Sequence, residues 1–152
     1  GGAERGALGP LLELKPRLLV IANRTAERAV EIAEEFAYLG PVRGCEFAKL
    51  ETQRFDLIVN ATSASLRGDV PAIPPGVVDS LTTCYDMAYG SGDTAFVTWA
   101  KTRGAGRAEQ GWGMLVEQAA EAFFLWRGVR PDTAPVLAAL SNRALRASRS
   151  PS

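Results

Sequence analysis

The sequence contains no histidine and only two cysteines. Without histidine, these residues exclude a Ser-His-Asp or Cys-His catalytic centre and a zinc site with histidine ligands. Cys45 and Cys84 stand alone, with no CxxC pair, so we interpret them as reduced thiols of a cytoplasmic protein. No apolar run approaches the length of a membrane span and no signal-peptide pattern is seen, so we expect no membrane partner.

The sequence also lacks an excess of either charge. Acidic and basic residues number 17 each among 152 residues, and 47% of the residues are hydrophobic. This composition favours one globular domain with a real core over a disordered chain, and we expect no nucleic-acid partner. The chain begins at Gly1 rather than Met, so a fragment of a longer protein is one expectation.

Apolar segments of strand and helix character alternate along the chain. Strands are predicted over residues 17–23, 55–62 and 81–89, with weaker candidates over 42–47 and 104–111. Helices are predicted over residues 3–14, 25–40, 94–101, 112–126 and 135–145, with Thr25 as a cap and Gly40 as a stop. The alternation indicates a parallel sheet. We expect one domain over residues 1–147 and a disordered tail over 148–152.

An arginine stands where the first predicted strand gives way to a helix, in the stretch NRT at residues 23–25. A plain turn favours Gly, Pro, Asn or Asp there. In a dinucleotide-binding unit, the second strand ends at the adenosine ribose, about twenty residues after a glycine-rich turn that holds the pyrophosphate. Gly1, Gly2 and Ala3 precede the first predicted helix and have that spacing from the strand end.

The residue at this strand end distinguishes the two nicotinamide cofactors. NAD enzymes place an acid there for the ribose 2′-hydroxyl, whereas NADP enzymes place a cation for the 2′-phosphate. No acid ends this strand, and Arg24 and Arg28 are one helical turn apart. We therefore predict that both guanidiniums bind a 2′-phosphate, with polar contacts from Asn23 and Thr25. The alternative, that both arginines are ordinary solvated residues, remains equally open on this motif alone.

Six segments, taken in chain order, carry a wider pattern: GGAERGALGPLLEL, NRTAERA, FDLIVNATSAS, CYDMAY, TAFVTWAKTRG and GWGMLVEQAAEAFFLWRGVRPD. They resemble, in the same order, GAGGAxRG, NRTxxRA, DLIINATSxG, YDMxY, TPFLxxAxxxG and NGLGMLVxQAAxxFxLWxGxxPD. These are motifs of the C-terminal NADP-binding domain of the shikimate dehydrogenase family. The resemblance covers nearly the whole chain with the family's spacing.

The resemblance implies a Rossmann-type doubly wound parallel sheet with flanking helices, and NADP as the cofactor. It implies the reversible reduction of 3-dehydroshikimate to shikimate, in chorismate and aromatic amino-acid biosynthesis. Two substrate-binding positions are matched by Tyr89 and Gln118. Matched cofactor-binding positions are Gly1, Gly2, Ala3, Asn23, Arg24, Thr25, Arg28, Thr62, Ser63, Met87 and Gly111.

Each role is chemically reasonable and has a plainer alternative. Met87 would pack on the nicotinamide and Gly111 would approach it through its backbone. Taken alone, Met87 is better interpreted as a core residue and Tyr89 as the end of a strand. Gln118 is equally well a substrate ligand or a buried amide with an internal partner.

Several positions depart from the family's pattern. Glu4 stands at the third glycine-or-alanine position of the turn, and Ser65 replaces the glycine of TSxG. Gln110 stands where Asn or Asp is usual, and Trp112 replaces a leucine. The first glycine of the turn and the strand before it have no counterpart here.

No segment resembles the family's N-terminal substrate domain, which carries a catalytic Lys and Asp. We expect no catalytic residue in this chain, no activity from it alone, and that domain as its partner. A first strand is central in such a sheet, so we expect a gap that a preceding strand or a neighbouring chain fills. Alternatives are a quinate/shikimate dehydrogenase that uses NAD and a non-catalytic NADP-binding remnant. A homodimer remains open, and no metal is expected.

Overall fold

The structure is a computed structural model that describes residues 2–147. Its helices are α1 (Gly2–Glu13), α2 (Ala26–Phe36), α3 (Ala95–Thr102), α4 (Trp112–Arg127) and α5 (Ala134–Ala147). Its strands are β1 (Leu19–Asn23), β2 (Val42–Glu46), β3 (Leu57–Asn60), β4 (Thr83–Asp86) and β5 (Arg107–Gln110). Short 3₁₀ turns occur at Phe47–Leu50, Ser65–Arg67 and Pro75–Val77. Each predicted helix and strand is found near its expected position, whereas the predicted disordered tail lies outside the described residues.

All strand pairs in the described part of the chain are parallel, as predicted. β1 pairs with β2, and β3, β4 and β5 form a second sheet in that order. Within residues 2–147, no ladder joins β1 to β3. Each of these two strands therefore has one edge without a partner, which is the gap that the sequence predicted.

The two sheets share one core although no hydrogen bonds join them. Alternate residues of β1 point to opposite faces. Val20 and Ala22 pack, with Ile58 of β3, against a buried cluster that includes Phe96 and Ala100 of α3. On the other face, Ile21 packs with residues of α1 and α2, namely Leu8, Ala29, Ile32 and Ala33. Helices therefore cover both faces of parallel strands, which is the doubly wound α/β arrangement.

Helix α2 lies very close to strand β2. A β-carbon added to Gly44 of β2 would stand 2.3 Å from the Ala29 carbonyl oxygen, so this contact requires a glycine. The residues of α2 that the sequence predicted as its apolar face are indeed buried or half-buried: Ala29, Ile32, Ala33 and Phe36. The helix ends at Phe36 rather than at Gly40, because Ala37 caps it and a turn follows.

None of the helices in residues 2–147 combines the length and the apolar character that crossing a membrane requires.

Three local expectations need correction. The strand predicted over 55–62 is only Leu57–Asn60, because the Asn60 side chain accepts the Thr62 backbone N–H at 3.1 Å and turns the chain. Thr25 stands at the N-cap of α2, but its side chain makes no capping hydrogen bond. Helix α1 begins at Gly2, one residue earlier than predicted, and the role of Gly2 at the pyrophosphate stays a prediction.

Candidate functional site

The predicted site residues come from the carboxyl ends of β1, β3 and β4, and from the segment between β5 and α4. In open α/β sheets, ligands bind in the crevice outside the carboxyl ends of the strands. Parallel pairing aligns those ends, since Asn60 of β3 is opposite Asp86 of β4 and Asp86 is opposite Gln110 of β5. The architecture therefore brings these sequence-distant positions to one edge.

Two exposed arginines stand at the end of β1. Arg24 follows the strand directly, and Arg28 lies in the first turn of α2. Neither forms a hydrogen bond or an ion pair with another residue in the described part of the chain. Two unpaired guanidiniums at i and i+4 fit a doubly charged phosphate group, because each donates in-plane hydrogen bonds to oxygen.

The turn between β1 and α2 is shaped by Asn23. Its side-chain oxygen accepts the Thr25 backbone N–H at 3.1 Å, which closes an Asx turn. The Thr25 hydroxyl is exposed and makes no capping bond, so it is available to a ligand. The predicted contact from Asn23 is thus partly used by the fold itself.

The first predicted residues of the site lie at the start of α1 or before it. Gly1 lies outside the described residues, and Gly2 and Ala3 begin α1. A β-carbon on Gly2 would meet nothing within 4 Å, so crowding within the described chain does not explain this glycine.

At the end of β3, Thr62 and Ser63 are exposed beside the strand. The Thr62 hydroxyl donates to the Asn60 side-chain oxygen at 2.8 Å and accepts the Ala64 backbone N–H at 3.3 Å. Ser63 accepts a hydrogen bond from Arg67 at 3.1 Å. Both hydroxyls are therefore held by the local turn and face solvent.

Met87 and Gly111 lie against each other. Met87 is half-buried, which differs from the core position that it would take as a simple packing residue, and Gly111 is buried. The Gly111 backbone N–H donates to the Ala88 carbonyl at 2.9 Å. A β-carbon on Gly111 would stand 2.4 Å from the Met87 carbonyl oxygen, so the Gly111 backbone lies against that of Met87. The approach of Gly111 to the nicotinamide stays a prediction.

A cleft of about 350 Å³ opens where the chain runs from the end of β4 to the start of α3. Ser65, Ala88, Tyr89 and Thr94 are among the residues that line it. Tyr89 is 42% exposed, and its ring centroid lies 4.7 Å from that of Trp112. Tyr89 lies beyond the end of β4, which stops at Asp86, and it lines this cleft.

Gln118 lies on α4 and is exposed. It follows Gly111 by seven residues, which is about two helical turns, so both lie on one side of the helix. The exposure removes the alternative of a buried amide with an internal partner. Within residues 2–147 no hydrogen bond joins Gln118 to Tyr89, and their shared role at the substrate stays a prediction.

The sequence analysis missed two buried polar residues at this edge. Asn60 is 4% exposed and Asp86 is 0% exposed, and the Asn60 amide donates to the Asp86 carboxylate at 3.1 Å. Both apolar strands end in a polar residue, and a buried polar group needs a partner. This pattern could have predicted that the two side chains bond to each other. Ser65, noted only as a departure from the family, also joins this pair through its hydroxyl.

The two cysteines are not part of the candidate site. Burial raises the pKa of the Cys84 thiol to about 11 and also raises the pKa of Cys45, so both are protonated at neutral pH. In residues 2–147 no group of three or more His, Cys, Asp or Glu side chains could hold a metal ion.

Comparison with known proteins identifies relatives that match most of this chain. Residues 111–140 match the family described as Shikimate 5'-dehydrogenase C-terminal domain. The shikimate dehydrogenase (NADP(+)) of Dechloromonas aromatica is 54% identical over 140 residues, which cover 92% of this chain and 51% of the relative. The chain therefore spans about half the length of the curated relatives that it matches.

Solved structures also match this chain over about half of their own length. An Ael1 enzyme from Pseudomonas putida has a TM-score of 0.82 and 47% identity, with 92% of this chain and 51% of that chain covered. Shikimate 5-dehydrogenase from Thermus thermophilus, in complex with NADP(H) and shikimate, has a TM-score of 0.73 and 31% identity. That comparison covers 97% of this chain and 52% of the Thermus chain. The likeness extends over the fold and not only over the matched family segment.

Proposed function

This chain belongs to the shikimate dehydrogenase family and corresponds to its C-terminal half, and on that premise we propose that it is the NADP-binding half of a shikimate dehydrogenase. The observation that carries the proposal is the exposed and unpaired Arg24–Arg28 pair at the end of β1. A 2′-phosphate at this place explains why two guanidiniums are left without protein partners. The name of the Dechloromonas aromatica relative includes NADP(+), which supports the same cofactor.

The proposed reaction is the reversible reduction of 3-dehydroshikimate to shikimate. When NADPH is bound, it supplies the hydride for the reduction. In this scheme Arg24 and Arg28 bind the adenosine phosphate, while Met87 and Gly111 lie beside the nicotinamide. Tyr89 and Gln118 then donate neutral hydrogen bonds that orient the hydroxyls or carboxylate of the substrate.

The catalytic proton transfer is assigned to the other half of the enzyme. No residue of this chain matches the Lys and Asp that the family uses for it, so the substrate domain is the proposed partner. Two features of the described structure support docking of a further domain. β1 and β3 each have an unpaired edge, and α4 exposes large apolar side chains, including Leu125 at 73% and Trp126 at 83% exposure.

We place the enzyme in the cytoplasm, where free thiols such as those of Cys45 and Cys84 stay reduced. The NAD-dependent alternative is disfavoured by the strand end itself. Asn23 and Arg24 stand where an NAD enzyme needs an acid for the ribose 2′-hydroxyl.

Two measurements on purified protein test the proposal. The chain of residues 1–152 is titrated with NADP⁺, NAD⁺ and 2′,5′-ADP, and we expect binding of the two 2′-phosphorylated ligands to exceed that of NAD⁺. The same chain is then assayed for NADPH formation from shikimate, alone and joined to a family substrate domain. We expect turnover only in the joined protein. Equal binding of NAD⁺ and NADP⁺, or saturable turnover by the chain alone, would contradict the proposal.

A further inference from the structure

A fully buried carboxylate connects the strand ends that form the proposed site. Asp86 is 0% exposed. One of its oxygens accepts from the Asn60 amide and from the Ala88 backbone N–H, each at 3.1 Å. The other accepts from the hydroxyls of Ser65 and Thr94, each at 2.6 Å. Four donors from different segments therefore converge on one side chain.

The environment of Asp86 is unusual for a group that serves stability alone. Among the described residues, no arginine or lysine forms an ion pair with it. A buried charge is tolerated when hydrogen bonds satisfy it, but a well-packed apolar side chain often serves stability equally well. A network in which every polar group is hydrogen-bonded fixes the orientation of each member, which apolar packing does not do.

The network orients the Asn60 side chain and, through it, Thr62. The Asn60 Nδ2 group donates to Asp86 and, at 3.1 Å, to Ser65. Its Oδ1 atom must then face the other way, where it accepts the Thr62 backbone N–H at 3.1 Å and the Thr62 hydroxyl at 2.8 Å. The position of Thr62 beside the cofactor thus depends on a carboxylate that it does not touch.

The same network holds Met87 on both sides. The Met87 backbone N–H donates to the Asn60 carbonyl at 3.0 Å. The next N–H, of Ala88, donates to the Asp86 carboxylate, and the Ala88 carbonyl accepts from Gly111 at 2.9 Å. The backbone around Met87 therefore has little freedom relative to the end of β3.

We infer that Asp86 is a positioning residue, which sets Thr62 and Met87 relative to each other through Asn60 and Ser65. The inference rests on the proposed function, in which Met87 lies beside the nicotinamide, and on the predicted cofactor-binding position of Thr62. It assigns a purpose to Ser65, which departs from the family's glycine and gives the carboxylate an additional donor. Arg24 and Arg28 lie on a different strand end, so the network should not affect the adenosine half.

Two substitutions separate the geometry from the fold. Asp86→Asn keeps the size of the side chain and removes the charge, and the amide nitrogen that replaces one carboxylate oxygen cannot accept from the hydroxyls of Ser65 and Thr94. Ser65→Ala removes one donor and leaves the other three, so it tests the inference even where Asp86→Asn does not fold. Ser65→Thr is the conservative variant that keeps the hydroxyl. Asp69→Asn is the control, since Asp69 is an exposed acid that pairs with Arg67.

The experiment uses the whole enzyme, this chain joined to the substrate domain, and reports turnover of shikimate for each site that binds 2′,5′-ADP. That ligand carries the 2′-phosphate and lacks the nicotinamide, so it counts folded adenosine sites. A purely structural role for Asp86 lowers the number of such sites but leaves the turnover of each one unchanged. A positioning role lowers the turnover of each site, because small displacements of reacting groups cost large factors in rate.

We expect turnover per site to fall by about tenfold or more in Asp86→Asn and by about threefold in Ser65→Ala. The Kd of 2′,5′-ADP should stay within about twofold of the unmodified enzyme, and Ser65→Thr and Asp69→Asn should keep full turnover. Unchanged turnover per site, or an equal loss of 2′,5′-ADP affinity, would overturn the inference. Absence of 2′,5′-ADP binding or of shikimate turnover in the unmodified enzyme would instead overturn the proposed function, and the inference with it.

Discussion

Gly111 lies so close to Met87 that a β-carbon added to Gly111 would stand 2.4 Å from the Met87 carbonyl oxygen. The φ angle of Gly111 is −70°, which any residue adopts, so space and not backbone conformation requires the glycine here. The contact joins the end of β4 to the start of α4, at the place proposed for the nicotinamide.

Gly111→Ala should therefore push β4 and α4 apart and disturb both stability and cofactor binding. We expect a loss of roughly 1–3 kcal/mol in the free energy of unfolding, the range for inserting a methyl group into packed structure. Thermal melts and NADP⁺ titration measure the two effects. Gly113→Ala is the matched control, because a β-carbon on Gly113 meets nothing within 4 Å and alanine is favoured in a helix. Equal behaviour of the two variants would contradict the role of the Met87 contact.

The raised pKa of Cys84 predicts how stability changes in alkaline solution. The native thiol has a pKa of about 11, whereas an unfolded cysteine titrates near its ordinary value of about 8.5. Between these values the unfolded chain has lost the proton that the native protein keeps, so stability falls as pH rises from about 8.5 to 11. Urea melts across that range should show the fall, and Cys84→Ala should reduce its slope. An unchanged slope in the variant would mean that other groups cause the effect.

Gln118→Ala should weaken the binding of shikimate and leave NADP binding nearly unchanged, since the amide is proposed to contact the substrate. Gln118 is exposed, so its loss should leave the melting temperature unaltered. Loss of a hydrogen bond between uncharged groups costs roughly 0.5–1.5 kcal/mol, or about twofold to tenfold in KM. Steady-state kinetics of the whole enzyme with each substrate varied in turn supply the measurement. An equal rise in both KM values would refute the assignment.

The unpaired edges of β1 and β3 predict where backbone amides exchange fastest. β4 is paired on both sides, whereas β1 and β3 have one partner each in the described structure. In the isolated chain of residues 1–152, amides of β1 and β3 should exchange faster than those of β4. Joining the substrate domain and the preceding strand should slow exchange in β1 and β3 and change β4 little. Equal protection of the three strands in the isolated chain would show that their edges are already covered.

The parallel strands and their flanking helices could be predicted from the sequence because their signals are local. The run from Leu19 to Asn23 is apolar and β-branched, and Ala29, Ile32 and Ala33 recur at helical spacing. The boundaries were less predictable where a side chain competes with the backbone. Asn60 ends β3 early because its side chain accepts the Thr62 N–H. Neither an asparagine nor a threonine in a run of apolar residues predicts this hydrogen bond.

The site could be predicted only in part, for a different reason. Arg24 and Arg28 form a local pattern, so one turn of sequence shows it. Two of the four partners of Asp86 are distant in sequence, since Ser65 lies 21 residues and Asn60 lies 26 residues away. Only the parallel register of β3 and β4 brings them together. Resemblance to a family proposed Met87 and Gly111 as site residues but marked Ser65 only as a departure from the motif. The hydrogen bond from Ser65 to Asp86 depends on the fold, so a motif does not show it.

Removal of Arg24 should weaken NADP binding specifically. Arg24 is exposed and has no protein partner in residues 2–147, so its loss should not destabilise the fold. A hydrogen bond to a charged group contributes roughly 1.5–3 kcal/mol, so Arg24→Ala should raise the Kd of NADP⁺ by about 10- to 150-fold. NAD⁺ lacks the phosphate, and its Kd should hardly change. Arg103→Ala, at the end of α3, is the control because Arg103 is also exposed and distant from the strand ends.

Two further variants test whether the arginine pair works as a unit. Arg24→Asp should shift preference toward NAD⁺, because it repels the phosphate and supplies the acid that binds a ribose 2′-hydroxyl. The Arg24→Ala/Arg28→Ala double variant should bind NADP⁺ more weakly than either single variant, since both guanidiniums are within reach of one phosphate. All variants are titrated with both cofactors at one fixed salt concentration, because exposed charges are screened by salt. Equal losses for NADP⁺ and NAD⁺ would assign Arg24 to the turn, and no loss for either would leave both arginines as ordinary solvated residues.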